Sequence, residues 1–172
     1  MNTLASRMLR AAKLDVDLYE EVEADKQTMG QATAVVVLSS LAAGIGTVST
    51  GGVAGIVIAT LGSFLGWYVW AYMTYFIGTR FLAEPQTQAD LGELLRTIGF
   101  SSSPGLIRVL AIVTPLRDVV LVVASLWMLV AMVIAVRQAL DYTSTWRALA
   151  VCAIGWAIQA GLLVVLFALL AD

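Results

Sequence analysis

The sequence predicts an all-α integral membrane protein, a bundle of about five transmembrane helices behind a short amphipathic N-terminal region. Three observations predict it. Of the 172 residues, 60% are apolar and only 13% charged, against roughly 45–50% and about 25% in soluble domains. The mean hydropathy is +0.89. Uncharged runs long enough to cross a bilayer recur along the chain. The chain has no histidine and one cysteine, Cys152, so an internal disulfide, a Cys/His zinc centre and a histidine proton shuttle are all excluded.

The N-terminal region, residues 1–29, divides by charge. In "TLASRMLRAAK" a helix would set Leu4, Met8 and Ala12 on one face and Arg7, Arg10 and Lys13 on the others. That is the pattern of a helix lying in the membrane interface, its basic groups drawn to anionic headgroups at about 1 kcal/mol each. Next comes "DVDLYEEVEAD", residues 15 to 25, with Asp15, Asp17, Glu20, Glu21, Glu23 and Asp25, half of the chain's acids. A calcium loop fails here, because Glu20 stands where glycine is needed and Lys26 where a bidentate glutamate is needed. Two compatible readings remain. In one, Asp17 caps a short solvated helix with Glu20 three residues on, Leu18 and Val22 form its apolar face, and Asp25 caps the first span. In the other, the segment is a docking surface with Tyr19 as aromatic anchor and Glu20, Glu21 and Glu23 selecting a basic partner.

The remainder, residues 30–172, is expected to be the transmembrane domain. Residues 27–79 carry no charge; as one helix they would run to roughly 80 Å, far beyond a hydrocarbon core of about 30 Å. The turn cluster Ser49-Thr50-Gly51-Gly52 divides them into spans near 31–48 and 53–77. In the second span Gly51, Gly55, Ala59, Gly62 and Gly66 draw a stripe of small residues. The stripe is expected to pack a helix of the same bundle or, alternatively, a second copy of the chain. Phe64, Trp67, Tyr68, Trp70, Tyr72, Tyr75 and Phe76 near its end form an interfacial belt or a groove for a lipid.

Pro104 to Leu116 is apolar except for Arg108. With Ser101 to Ser103 as caps and Pro104 at the first position, it reads as a third, barely crossing helix. Arg108, near the start of that helix, is placed to snorkel to the interface. Spans at 119–136 and 148–170 follow. Five crossings with the N-terminus cytoplasmic and the C-terminus outside put Arg7, Arg10, Lys13, Lys26, Arg80, Arg96, Arg137 and Arg147 inside and Arg117 outside, in accord with the positive-inside bias. Four crossings satisfy the same bias almost as well. No cleavable signal peptide is expected, because the polar region before the first apolar run is long and acidic.

The order of these features, "DLYEEVEADKQTMGQA", then "GWYVWAYMTYFIGTRFL", then "LGELLRTIGFSSSPGLI" and "LWMLVAMVIAVRQALDYTSTWRALAV", resembles the Yip1 family in its short bacterial and archaeal form. The resemblance covers nearly the whole chain. Asp17-Leu18-Tyr19 matches the Asp-Leu-Tyr motif that precedes the first span in eukaryotic members. Gly99-Phe100 is similar to their Gly-Tyr motif, with phenylalanine in place of tyrosine. The resemblance implies five spans, both motifs on the cytosolic side, and a non-enzymatic membrane role.

Neither a nucleophile elbow, a Walker loop, an HExxH nor an intramembrane catalytic pair is present. No catalytic residue, metal site or cofactor is therefore expected, nor a nucleic-acid partner. The expectation is a multi-pass protein of the cell membrane that acts through protein and lipid contacts, as an organiser, a trafficking-like adaptor or an accessory subunit of a membrane complex. A small transporter or channel is the rival class, disfavoured because Arg108 and Gln159 are nearly all the polar inventory of the spans.

Overall fold

Thr3 accepts the Ser6 N–H at 3.3 Å and starts α1, Leu4–Ala12, in the computed structural model, which describes residues 3–46 and 48–171. Every described element is helical. A turn through Leu14 reverses the chain into α2, Val16–Ala24. The cap position of α2 is Asp15 and not Asp17, and the Asp15 carboxylate goes to Arg10 instead of the helix amides. Asp25 caps the turn Lys26–Thr28, accepting the Gln27 N–H at 2.9 Å, and α3, Met29–Gly46, follows.

α4, Val48–Arg80, is interrupted at Gly52, whose φ of 58° and ψ of −167° suit glycine alone. The break falls on Gly52, the last residue of the expected turn cluster. α5 is Leu91–Ser101, with a capping box in which Asp90 accepts from Glu93 N and Glu93 from Asp90 N. A 3-10 helix, Ser103–Ile112, and a 3-10 turn, Thr114–Leu116, lead into α6, Arg117–Ala139, and then α7, Thr145–Ala171. Among the described residues, Lys26–Gly46, Gly52–Arg80 and Thr114–Ala139 are long and apolar enough to cross a membrane.

The third leg departs from the expectation. Instead of a helix over 104–116, the chain makes a 3-10 helix of 10 residues, which at about 2 Å per residue covers roughly 20 Å, less than the hydrocarbon core. The leg begins earlier, in α5, a stretch that reads as polar loop. Ser102 stands between the two helices as the cap position of the 3-10 helix, without a side-chain cap bond and with Pro104 in the first turn, while the hydroxyls of Ser101 and Ser103 donate back to Ile98 O at 2.8 Å and Phe100 O at 2.7 Å, so α5 leads directly into the 3-10 helix.

This leg lies parallel to α3. Gly99 faces Ala32, Gly105 faces Ser39, and the Arg108 carbonyl faces Gly46. Ala32, Ser39 and Gly46 are spaced at two-turn intervals, so small residues line one side of α3 and let the backbones approach. A Cβ added at Gly99 would stand 2.8 Å from the Ala32 Cβ.

The stripe on α4 does not pack in this way. Among the described residues, a Cβ added at Gly55, Gly62 or Gly66 would meet nothing within 4 Å. Gly62 and Gly66 are exposed, while the surroundings of the Gly51 and Ala59 side chains lie outside the described residues. Only 6% of the most apolar window of Gly52–Arg80 is buried within the chain. The physical reason is that lipid accepts an apolar helix on any face, so small residues alone do not choose the packed one. The aromatic cluster of α4 divides: Trp67 and Trp70 point inward, with Trp67 Nε1 donating to Leu95 O at 3.0 Å, while Tyr68, Tyr72 and Phe76 are exposed.

Among the described residues, both sides of position 29 contribute to one core. Ala11, Leu18, Tyr19 and Val22 belong to the same core cluster as Val35, Leu94, Ile98, Phe100 and Val136. Gly99→Leu is therefore expected to lower stability by about 1–3 kcal/mol through overpacking. Gly62→Leu should stay within roughly 0.5 kcal/mol of wild type in the isolated chain. Thermal unfolding of both variants in mild detergent checks the ranking; the reverse order would restore the α4 stripe as the packed face.

Candidate functional site

At the end of the bundle where α1, α2 and the start of α3 meet the last turns of α4 and α6, charged groups collect in two arrangements. The first is a clamp. Arg7, with its side chain 11% exposed, donates from Nε to Glu21 Oε1 at 2.9 Å, from Nη1 to Gln31 Oε1 at 3.0 Å and from Nη2 to Asp25 Oδ2 at 3.3 Å. Arg10 donates to Asp15 Oδ2 at 2.7 Å and Glu21 Oε2 at 2.6 Å. The Arg10 guanidinium holds the Asp15 carboxyl below its ordinary range. The two arginines expected to reach for lipid headgroups are thus bonded to the acids of α2.

The second arrangement is a cleft of about 830 Å³ between α2, the 82–90 loop, the start of α5 and the turn after α6. Glu20, Glu23, Glu93 and Asp141 line it, and Arg137 is the cation among its lining residues. Arg137 donates to Tyr142 O at 3.2 Å and Thr143 O at 3.3 Å, which closes the turn. Gln138 Nε2 donates to Glu20 Oε1 at 2.8 Å. Asp141 Oδ2 accepts the Gln88 N–H at 3.2 Å. Partial burial, reinforced by Asp141, Glu93 and Glu20, pushes the Glu23 carboxyl up to about 7.

A latch fixes the loop that walls this cleft. Glu84 accepts from Thr143 N at 2.9 Å and Thr143 Oγ1 at 2.8 Å, and pairs with Arg147 at 3.2 Å. The Thr143 amide, ahead of its hydroxyl, Gln86 and Arg147, holds the Glu84 carboxyl below the usual range.

The two sequence motifs come together, but on the inside. Leu18, Tyr19 and Phe100 are 0% exposed, and Gly99 lies against Ala32. Tyr19 donates its hydroxyl to Ala11 O at 3.3 Å, and burial raises its phenol above the ordinary range. Tyr19 therefore anchors α2 to the bundle and offers no surface to a partner. Its ring is too large an apolar group for α2 to leave in water beside a core. Glu21 is likewise committed to Arg7 and Arg10. Asp17 and Glu20 remain exposed. Glu93, Asp141 and the Glu84 latch escaped the sequence reading. A capping-box signal, Asp90-Leu91-Gly92-Glu93, was available for α5, but nothing in the sequence pairs residue 84 with 143.

A family model described as the Yip1 domain matches residues 18–167 of this chain. No curated protein and no solved structure matches it.

A carboxyl raised in the folded state destabilises the fold when ionised. For Glu23 that penalty is absent below about 4.5, grows through the window up to about 7 and is complete above it. Glu23→Gln should therefore exceed wild type in stability near pH 8, by on the order of 1 kcal/mol once solvent screening of this half-buried group is allowed for. The two proteins should converge near pH 4, which thermal unfolding across pH reads directly.

Proposed function

The chain belongs to the Yip1 domain family, and from that premise we propose that this integral membrane protein is a non-enzymatic adaptor, organising a membrane complex by receiving a basic segment of a partner in the cleft at its charged end. The cleft supports the reading through a single feature: four carboxylates from three separate parts of the chain converge on one open space against one guanidinium already used by its own turn. Such a field steers a basic partner and sets which partner is accepted. Glu23 adds sensitivity, since a nearby cation would favour its ionised form and recover the cost of holding it there.

In this proposal the bundle crosses the cell membrane five times, with the N-terminus cytoplasmic and the C-terminus outside. The distribution of basic residues supports it: eight of the ten lie in the N-terminal region or in helix segments at the same end of the bundle, against Arg117 at the opposite end. The leg from α5 through the 3-10 helix counts as the third crossing because it runs beside α3 from Ala32 to Gly46.

Glu20→Lys combined with Glu23→Gln should remove a partner in a salt-dependent way, read by cross-linking and co-purification from native membranes at matched expression. An unchanged set of partners would rule the cleft out as a docking site. For topology, single cysteines in a Cys152→Ala background discriminate the two charge-compatible arrangements. With five crossings, Leu116→Cys reacts with an impermeant reagent in intact cells and Thr145→Cys is protected; four crossings reverse the pair.

A further inference from the structure

Arg108 does not snorkel to the interface. Its guanidinium turns inward, where Nη2 donates to Ser39 Oγ at 3.5 Å and touches the Met128 sulfur, a weak acceptor. Ser39 lies near the middle of α3 and Met128 near the middle of α6, so the half-buried charge sits away from the ends of both helices. Arg108 Nε is buried and has no hydrogen-bond partner among the described residues, nor does any described carboxylate pair with the side chain. Room for the group is built in: a Cβ at Gly105 would collide with Ser39 Oγ, Arg108 Nη2 and the Met128 sulfur.

The guanidinium lines a cavity of about 280 Å³ formed by α3, α4, the third leg, α6 and α7, several times the roughly 30 Å³ of one water. On its α4 side is Trp70, 8% exposed, whose Nε1 also has no partner among the described residues. Ser39 accepts from Arg108, which leaves its own hydroxyl hydrogen to donate into the cavity. The described lining contains no acid. Two unsatisfied buried donors, one of them charged, around a space with no acid are complementary to an anion. A second cavity of about 270 Å³ shares Arg108, Met128, Met132 and Trp156 with the first and continues between α6 and α7 to Ser125 and Leu129. It is walled mainly by apolar groups, and Trp156 at its side is 54% exposed.

From this geometry we infer that the bundle holds a monoanionic membrane lipid, its phosphodiester on Arg108, Trp70 Nε1 and Ser39, with an acyl chain leaving through the α6–α7 opening. One guanidinium matches one negative charge, and the polar-then-apolar order of the two cavities matches a headgroup joined to a chain. Ionisable groups within a membrane bundle ordinarily mark functional sites. The site is separate from the acidic cleft, and Arg108 and Trp70 are not among that cleft's lining residues.

The test uses the full chain in a neutral detergent, supplemented with phosphatidylglycerol, with phosphatidylcholine of the same chains, or with inorganic phosphate, and read by thermal unfolding and by lipid retention in native mass spectrometry. Phosphatidylglycerol should raise the midpoint and stay bound, whereas phosphatidylcholine and phosphate should not. Arg108→Gln should weaken the effect about tenfold or more, as expected when a charged hydrogen-bond partner is lost. Trp70→Phe, which removes the N–H and keeps a ring, should weaken it by a few fold and decides the matter if Arg108→Gln does not fold. Equal protection by phosphatidylcholine, or wild-type protection in both variants, would overturn the site. Phosphate matching phosphatidylglycerol would overturn the lipid.

Discussion

Arg96 ties the N-terminal helices to the bundle. It is 4% exposed and lies on α5, and it donates from Nε to Val22 O at 2.9 Å and from Nη2 to Glu23 O. These are among the last carbonyls of α2, which helix geometry leaves without internal partners and which carry the negative end of the helix dipole. Hydrogen bonds to a charged group contribute about 1.5–3 kcal/mol. With α2 held there, its other faces are placed: Leu18, Tyr19 and Val22 enter the core, and Glu20 and Glu23 face the cleft.

The density of acids between residues 15 and 25 follows from this placement. A helical period of 3.6 divides the acids between two surfaces. Glu21 and Asp25, one turn apart, meet Arg7, and Asp15 meets Arg10. Glu20 and Glu23, also about one turn apart, look the other way. One short helix thus neutralises the basic helix before it and lends charge to an open cleft. The clamp and the cleft share a backbone, so a change in one is felt by the other.

Much of the fold was legible because charge is so costly in lipid that it marks where spans end. α6 runs from Arg117 to just beyond Arg137, and α4 stops at Arg80. The inner and outer faces of those spans were not legible. An apolar residue is equally at home against lipid or a neighbouring helix, so the stripe through Gly62 and Gly66 carried no information about which side was packed. The close approach at Gly99 lies in a segment whose charges at Glu93 and Arg96 disguise it as a loop. Of the candidate site, the acids at 20 and 23 were visible, whereas Glu93 and Asp141 reach them only through the fold. Tyr19 was legible as an important aromatic, but a motif cannot say whether its ring faces a partner or its own bundle.

Residues 4–24 form part of the folded bundle and are not a tail in front of it. Hydrogen–deuterium exchange followed by mass spectrometry on the detergent-solubilised chain tests this most directly. The α2 amides from Tyr19 to Ala24 should show slow exchange comparable to that of α5 from Leu94 to Ser101, because Arg96 and a shared core join the two helices. Exchange of the α2 amides within seconds, with α5 still protected, would contradict it.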